Sequence, residues 1–447
     1  MLDPAKPQPI DLKDFSSYIT SCLALAAKKL KGLDGPEAVA RAETELNAYP
    51  RLNSLEEPRD IFVVDQQSLT DKDHQRAVKT LLQGGVLLEH ACAGEATRLG
   101  LGTKYLINPR LDLSPKALDR LLAEGATVPV APDSLRSITL GRRHMLQLAW
   151  DLSRLARDAG KDPVQVLKRQ RLLVVVNEAS YQTVLEDFLE ANFYGFQRHK
   201  TLFMVQKAFH GITIRDRKWV YDTSSERRLH NHGQMLMQTT MDNQVFRLDE
   251  TNHPYYLTWP EFSTILSEYD DKVSFNIEDL DYLGQSLDLT GLAASLKLAG
   301  EGVNMVMEVV ANDSENPIKG GMCAWDPKLG RNVVIESFQL AGIANEKITF
   351  LNKNINHYPR PVVSATAVRE QGLSMPLTVK KGFVYFQPVQ GDVNFLVPTA
   401  FLRRTQLKPI NSWKSGEQTP AALEAMAAQE KRKGFIKWAC DLTGLKL

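Results

Sequence analysis

From residue 84 onward, short apolar runs alternate with longer stretches of helical spacing, and this alternation constrains the fold more than any other feature. GGVLLEHA, RLLVVVNEA, TLFMVQKAF, VSFNIED, VNMVMEVVA, NVVIESF, KITFLN and GFVYFQPV are short, apolar or β-branched, and read as strands. Between some of them lie RRHMLQLAWDLSRLARDAG, SYQTVLEDFLEAN and DLTGLAASLKLAG. Their apolar residues recur at three- and four-residue spacing, so they read as helices. Such alternation predicts an α/β sandwich around a mostly parallel sheet. Ligands then bind beyond the carboxyl ends of the strands.

The flanks are helical in pattern. SYITSCLALAAKKLKGL, PEAVARAETELNAY and TDKDHQRAVKTLLQG precede the first strand, and TPAALEAMAAQEKRKGFIKWACDLTGL closes the chain as two expected helices. The expected organisation is a helical segment over 1–83, a main domain over 84–400 and a helical segment over 401–447. Net charge is +1, so no overall field draws the chain to nucleic acid or a membrane, and any anion site must be built locally. Cys22, Cys92, Cys323 and Cys440 are widely spaced and form no C-x-x-C pair, which suits a reducing compartment. The first residues, MLDPAKPQPIDLKD, hold no apolar signal core. No apolar run approaches the roughly twenty residues of a membrane span. A cytoplasmic protein is expected.

The first strand runs into HACAGEATRLGLGTK. A turn of small residues lets a ligand approach the backbone, and Arg98 and Lys104 suggest that the ligand is an anion. No G-K-[ST] follows, so this is not a P-loop, and G-x-G-x-x-G is absent.

Thr97-Arg98-Leu99-Gly100 after Ala93, Gly94, Glu95 and Ala96 resembles the G-G-x-G-T-R-L-G loop of sugar nucleotidyltransferases, with alanine for two glycines. Other stretches follow in order. Asn177, Asn192 to Gly195, and Phe203 with Gln206 resemble conserved corners of the UDP-glucose and UDP-N-acetylhexosamine pyrophosphorylase family. Asn231-His232-Gly233-Gln234 resembles its G-H-G-D turn. FNIEDLDYLGQSLDL resembles N-S-D-N-L-G-A-x-V-D, MEVVANDSENPIKGG resembles M-E-V-T followed by K-G-G, and ITFLNKNIN resembles F-N-T-N-N. PLTVKKG stands where the family has a late lysine. The resemblance covers about 84 to 410.

It implies a GT-A-like (Rossmann-like) nucleotidyltransferase of three layers that joins UTP and a sugar 1-phosphate into UDP-sugar and pyrophosphate with Mg²⁺. It implies that Arg98 and Lys104 hold the leaving pyrophosphate and that Asp281 holds Mg²⁺, with Asp279 and Asp288 nearby. Lys380 or Lys381 faces the α-phosphate; strand alternation would send only one of them into the cleft. Ala93, Gly94, Thr97, Gln206, His232 and Gly233 are the implied nucleotide contacts, and the methyl of Ala93 narrows the approach of the base. Glu308, Lys319, Asn352 and Asn354 are implied partners of sugar hydroxyls. Asp288 also precedes LTGLAASL, as a helix cap would.

The late lysine, D-x-L-G and K-G-G favour glucose 1-phosphate; T-R-L-G is shared with the N-acetylhexosamine branch. The changes at Ala93, Ala96 and Gln234 leave a second expectation, a nucleotide-sugar-binding protein without catalysis.

Overall fold

The computed structural model describes residues 10–64, 68–123, 127–404 and 411–447. Its centre is four parallel strands in the spatial order Asp271–Asn276, Val86–Ala91, Arg171–Asn177 and Thr201–Gln206. Their side chains alternate between two cores. Val86, Leu88, Leu172, Val174 and Val176 join one, and Leu87, Leu173, Val175, Leu202 and Met204 join the other. Both faces are covered, so each strand is apolar without a break.

Helix Leu140–Asp158 covers the first face with Met145, Leu148, Ala149 and Leu152. It starts at Thr139, whose hydroxyl accepts from the Arg142 N–H at 3.2 Å. Helix Asp71–Leu82 opens on a reciprocal Thr70–Asp73 cap and packs beside helix Leu289–Gly300. Helices Phe15–Lys29, His232–Thr239, Trp259–Ser267 and Pro361–Gln371 supply buried side chains to the second core.

Among the described residues the large sheet has twelve strands and is mixed, which corrects the expectation of a mostly parallel one. Phe350–His357 lies between Asp271–Asn276 and Met305–Ala311 and is antiparallel to both. Met322–Asp326 and Arg331–Ile335 form a hairpin attached to it. Beyond Met305–Ala311, Thr399–Arg403 and Phe62–Val63 are parallel again. The reason lies in the connections. A parallel return needs a crossover of about a dozen residues or more, usually a helix. Between 305 and 357 the chain supplies strands and short 3₁₀ turns instead.

A separate four-stranded antiparallel sheet contains Leu377–Lys380, Phe383–Phe386, Ile212–Arg215 and Lys218–Tyr221. Helix Pro36–Asn47 closes its edge. Asn47 donates to the Leu377 carbonyl at 2.7 Å and accepts the Leu377 N–H at 2.8 Å, as another strand would. The two expected C-terminal helices are Thr419–Glu430 and Phe435–Thr443. Gln429 ties the first to helix Leu140–Asp158, donating to Gln147 and to the Arg143 carbonyl, both at 3.0 Å. Among the described residues, no helix is long and apolar enough to cross a membrane.

Candidate functional site

The site is assembled beyond the carboxyl ends of the four central strands. After Ala91 the chain makes a closed loop. Ala96 N–H donates to the Gly102 carbonyl at 2.7 Å, and Lys104 N–H to the Gly94 carbonyl at 3.0 Å. Gly100 and Gly102 have φ of +66° and +78°, a region glycine enters without strain. Asn177, at the end of the next strand, donates to the Ala93 carbonyl at 2.9 Å and to the Thr103 hydroxyl at 3.3 Å. The loop therefore turns Thr97 and Arg98 outward, both exposed, and Lys104 inward. Among the described residues, Arg98 has no hydrogen-bond or ion-pair partner.

Lys104 forms an ion pair with Glu278, 174 residues apart in the chain. The other oxygen of Glu278 lies 2.8 Å from Lys414 Nζ. Burial alone would raise the Glu278 carboxyl, but Lys104 and Lys414 outweigh it and hold it below the usual range.

His232 stands beside these groups at the start of helix His232–Thr239, where its N–H donates to Asn231 Oδ1 at 2.8 Å. It is solvent-accessible yet hemmed in by protein, as a cleft wall would be. Desolvation lowers its pKa, Glu278 opposes this, and Lys414 and Lys104 add to it, so the imidazole is held neutral. Gly233 has a packing reason. Its N–H donates to the Pro388 carbonyl at 2.9 Å, and a Cβ there would meet the Pro388–Val389 main chain at 2.5 to 2.7 Å.

Gln206 is buried in a ladder of amides. Its NH₂ donates to the His230 carbonyl at 3.0 Å and to Gln234 Oε1 at 3.1 Å. Its own carbonyl accepts nothing among the described residues, which leaves it able to accept from a ligand. Gln234 donates on to the Lys207 carbonyl at 2.6 Å and to Gln238 at 3.2 Å.

After strand Asp271–Asn276 the chain turns through Glu278, Asp279 and Asp281. Asp281 is exposed; its N–H donates to Asp279 Oδ1 at 3.0 Å, and its Oδ1 accepts from Asn411 at 3.2 Å. Burial and the neighbouring Asp281 charge push the Asp279 carboxyl up to about 6, with Lys353 opposing. Asp288 caps helix Leu289–Gly300, accepting the Gly291 N–H at 3.0 Å, and pairs with Arg404.

Glu308 lies at a bulge where one residue of its strand faces residues 353–355 of the next. It accepts from Lys353 and from Arg404 Nε, both at 3.1 Å. Asn352 is buried. Its N–H donates to the Gly321 carbonyl at 2.7 Å, which ties the K-G-G loop to this strand, while Lys319 itself is exposed. The Asn352 side chain hydrogen-bonds Glu336. The side chain of Asn354 lies outside the described residues.

Lys380 and Lys381 occupy the tip of the small sheet's hairpin. Lys380 ends its strand, whereas Lys381 is in the turn with φ +50° and pairs with Glu226 at 2.9 Å. The expected strand alternation thus stops at Lys380. Among the described residues, no contact joins this tip to Lys104 or Asp281. It borders the same end of the sheet through residues 226–228, where Arg227 pairs with Glu178 at 2.6 Å.

Sequence reasoning missed Glu278, Lys353, Lys414 and Glu336. Burial drives the Glu336 carboxyl up to about 6 against the Asn352 hydrogen bond. Cβ atoms at Gly391 and Gly321 would lie 3.1 and 3.4 Å from its oxygens, so two glycines leave it room. NVVIESF was legible as a strand; an acidic residue at its apolar end was the available signal.

No family model matches the sequence, and no curated protein matches it. Solved structures do. A UDP-N-acetylglucosamine pyrophosphorylase from Trypanosoma brucei, in complex with an inhibitor, is 13% identical with a TM-score of 0.58, covering 95% of this chain and 82% of that one. A point variant of UDP-glucose pyrophosphorylase from Leishmania major is 17% identical with a TM-score of 0.56, over 87% of this chain and 73% of that one. Another variant of the same enzyme, in complex with UDP-glucose, is 14% identical with a TM-score of 0.53, over 91% and 78%. This chain has the fold of the UDP-sugar pyrophosphorylases. At these identities the shared property is the fold, and both sugar branches are among the neighbours.

Proposed function

We propose that this protein is a UTP-dependent sugar-1-phosphate uridylyltransferase with a GT-A-like catalytic core over 84–400, active in the cytoplasm. One observation carries the reading: the lysine of the first loop and the acidic turn after strand Asp271–Asn276 meet directly, through Lys104 and Glu278. That contact supports reading Lys104 as a phosphate-binding cation and the 278–281 turn as a metal-binding one, side by side at one end of one sheet.

The reaction is an in-line attack of a sugar phosphate oxygen on the α-phosphorus of UTP, with pyrophosphate leaving. Two polyanions must meet, so alignment and neutralisation supply the catalysis, and no nucleophilic side chain is required. In this reading Lys104 and Arg98 bind the leaving phosphates, and Lys380 or Lys381 stabilises charge at the α-phosphate. The Gln206 carbonyl meets the base, near Ala93, Gly94 and Thr97, while His232 and Gly233 flank the nucleotide. Glu308, Asn352, Asn354 and Lys319, joined by Glu336, surround the sugar hydroxyls.

Asp279 and Asp281 fit Mg²⁺. They are two carboxylates two residues apart, Asp279 raised by burial and then by the Asp281 charge, and among the described residues they belong to no group of three or more metal-ligating side chains. Magnesium commonly takes one or two carboxylates and fills its shell with substrate oxygens and water. When bound there, it would offset phosphate charge.

Glucose 1-phosphate is the leading substrate, and an N-acetylhexosamine 1-phosphate is the alternative. The test is pyrophosphate release with UTP, Mg²⁺ and a panel of sugar 1-phosphates. Turnover with one sugar supports the reading. UTP binding without turnover on any sugar would replace it with a nucleotide-sugar-binding protein.

A further inference from the structure

Lys104 has a neighbour that faces the other way. Residues 104–106 form one 3₁₀ turn, closed by the Ile107 N–H on the Lys104 carbonyl at 3.2 Å. Lys104 reaches Glu278 from this turn, whereas Tyr105 is fully buried in the first core. The Tyr105 ring lies on Gly141, where a Cβ would meet ring carbons at 2.2 to 2.3 Å, so helix Leu140–Asp158 receives the ring only because residue 141 has no side chain. Leu140 N–H donates to the Ile107 carbonyl at 2.8 Å and holds the far end of the turn.

The Tyr105 hydroxyl donates to Asp187 Oδ2 at 2.7 Å, 82 residues away in the chain. Asp187 belongs to helix Tyr181–Glu190 and is buried. Two more donors meet on it. Tyr194 shares the same oxygen and Arg142 Nε takes the other, while Arg142 Nη2 pairs with Glu190 at 2.7 Å. Burial and the Asp187 charge keep both phenols protonated, so both donate. Tyr194 ends a run of three non-glycine residues, Asn192, Phe193 and Tyr194, with φ of +46°, +52° and +53°. Such backbone persists only where its surroundings hold it, and the Tyr194–Asp187 bond is one hold. A constrained corner and the Lys104 turn are thus tied to one carboxylate.

We propose that Tyr105 is a positioning residue for Lys104: its bond to Asp187 fixes the turn from which Lys104 meets the leaving phosphates. A lysine carries its charge on a flexible stem, so the seat of its backbone decides where the ammonium group arrives. Small misplacements of such a group are costly in rate. The inference rests on the uridylyltransferase reading and extends it to helix Tyr181–Glu190.

The test is a double-mutant cycle on the full chain, with kcat for UTP, Mg²⁺ and a sugar 1-phosphate that the parent accepts, and thermal melting of each variant. Tyr105→Phe keeps the ring on Gly141 and removes only the hydroxyl, so it is expected to fold and to melt within a few degrees of the parent. Tyr105→Phe is expected to lower kcat about tenfold. In the Lys104→Ala background the same change is expected to lower kcat by less than about twofold, since the group it positions is gone. Parent-like kcat in Tyr105→Phe overturns the inference and leaves the uridylyltransferase reading standing, because the parent turns over. A tenfold loss that recurs in the Lys104→Ala background also overturns it, since the hydroxyl would then support the fold at large rather than the lysine. A parent that turns over no sugar 1-phosphate overturns the uridylyltransferase reading itself, and this inference with it.

Discussion

Glu278 shows how a single carboxylate can hold two lysines in place. Its carboxylate already holds Lys104, so in the proposed reading an incoming phosphate meets a lysine that is already placed. Lys104→Ala should lower kcat about 10²-fold, the scale of losing one preorganised contact to developing charge, with unchanged melting. Single-turnover pyrophosphate release checks this, and a rate within threefold would remove Lys104 from the site. Asp281→Asn should leave the fold intact and raise the Mg²⁺ concentration needed for half-maximal turnover. An unchanged magnesium titration would place the metal elsewhere.

Glu336 supplies a pH test with a fixed sign. Its folded-state pKa, about 6, lies above the ordinary 4.5, so the folded chain holds this proton more tightly than the unfolded chain. Its effect favours folding at low pH and is lost as pH rises through about 6. Glu336→Gln mimics the protonated form. The variant should therefore gain stability relative to the parent between pH 5 and pH 8, by denaturant unfolding at both values. A gap that is flat with pH would mean that Glu336 titrates normally.

Among the elements, helix His232–Thr239 is closely seated. Gly233→Ala would drive a methyl into the Pro388–Val389 main chain and should destabilise by about 1–3 kcal/mol, while moving His232. Thermal melting and activity should fall together; a variant with parent-like melting would show that the contact relaxes. Much at this scale was legible in sequence. Strands buried on both faces, such as LLVVV, are apolar without a break, and helix Leu140–Asp158 shows its period plainly. The small sheet was not legible beyond GFVYF and the late strand of PLTVKKG, because ITIR and KWVY are four-residue strands with seven of their eight positions exposed or half-buried. Strand direction was not legible either, since it depends on connections rather than on any run. Arg98, Lys104 and Asp281 stood out as charges in turns. Glu278 and Lys414 did not, because each has meaning only beside the other.

On the scale of the whole molecule, the proposed nucleotide end and the proposed sugar end share one mixed sheet. Strand Phe350–His357 joins them, carrying Asn352 and Lys353 on one side and pairing with Asp271–Asn276 on the other. The C-terminal segment backs the junction. Trp413→Ala would empty a fully buried site and should cost about 3–5 kcal/mol by denaturant unfolding, and a loss below 1 kcal/mol would show that the segment is loosely held. During synthesis on the ribosome, the 278–281 turn is made long before this strip. Until residues 411–414 emerge, Glu278 has one lysine to answer rather than two, and the Leu280 N–H has yet to meet Asn411. The growing chain can thus pair its four central strands early and complete this cluster of charges late.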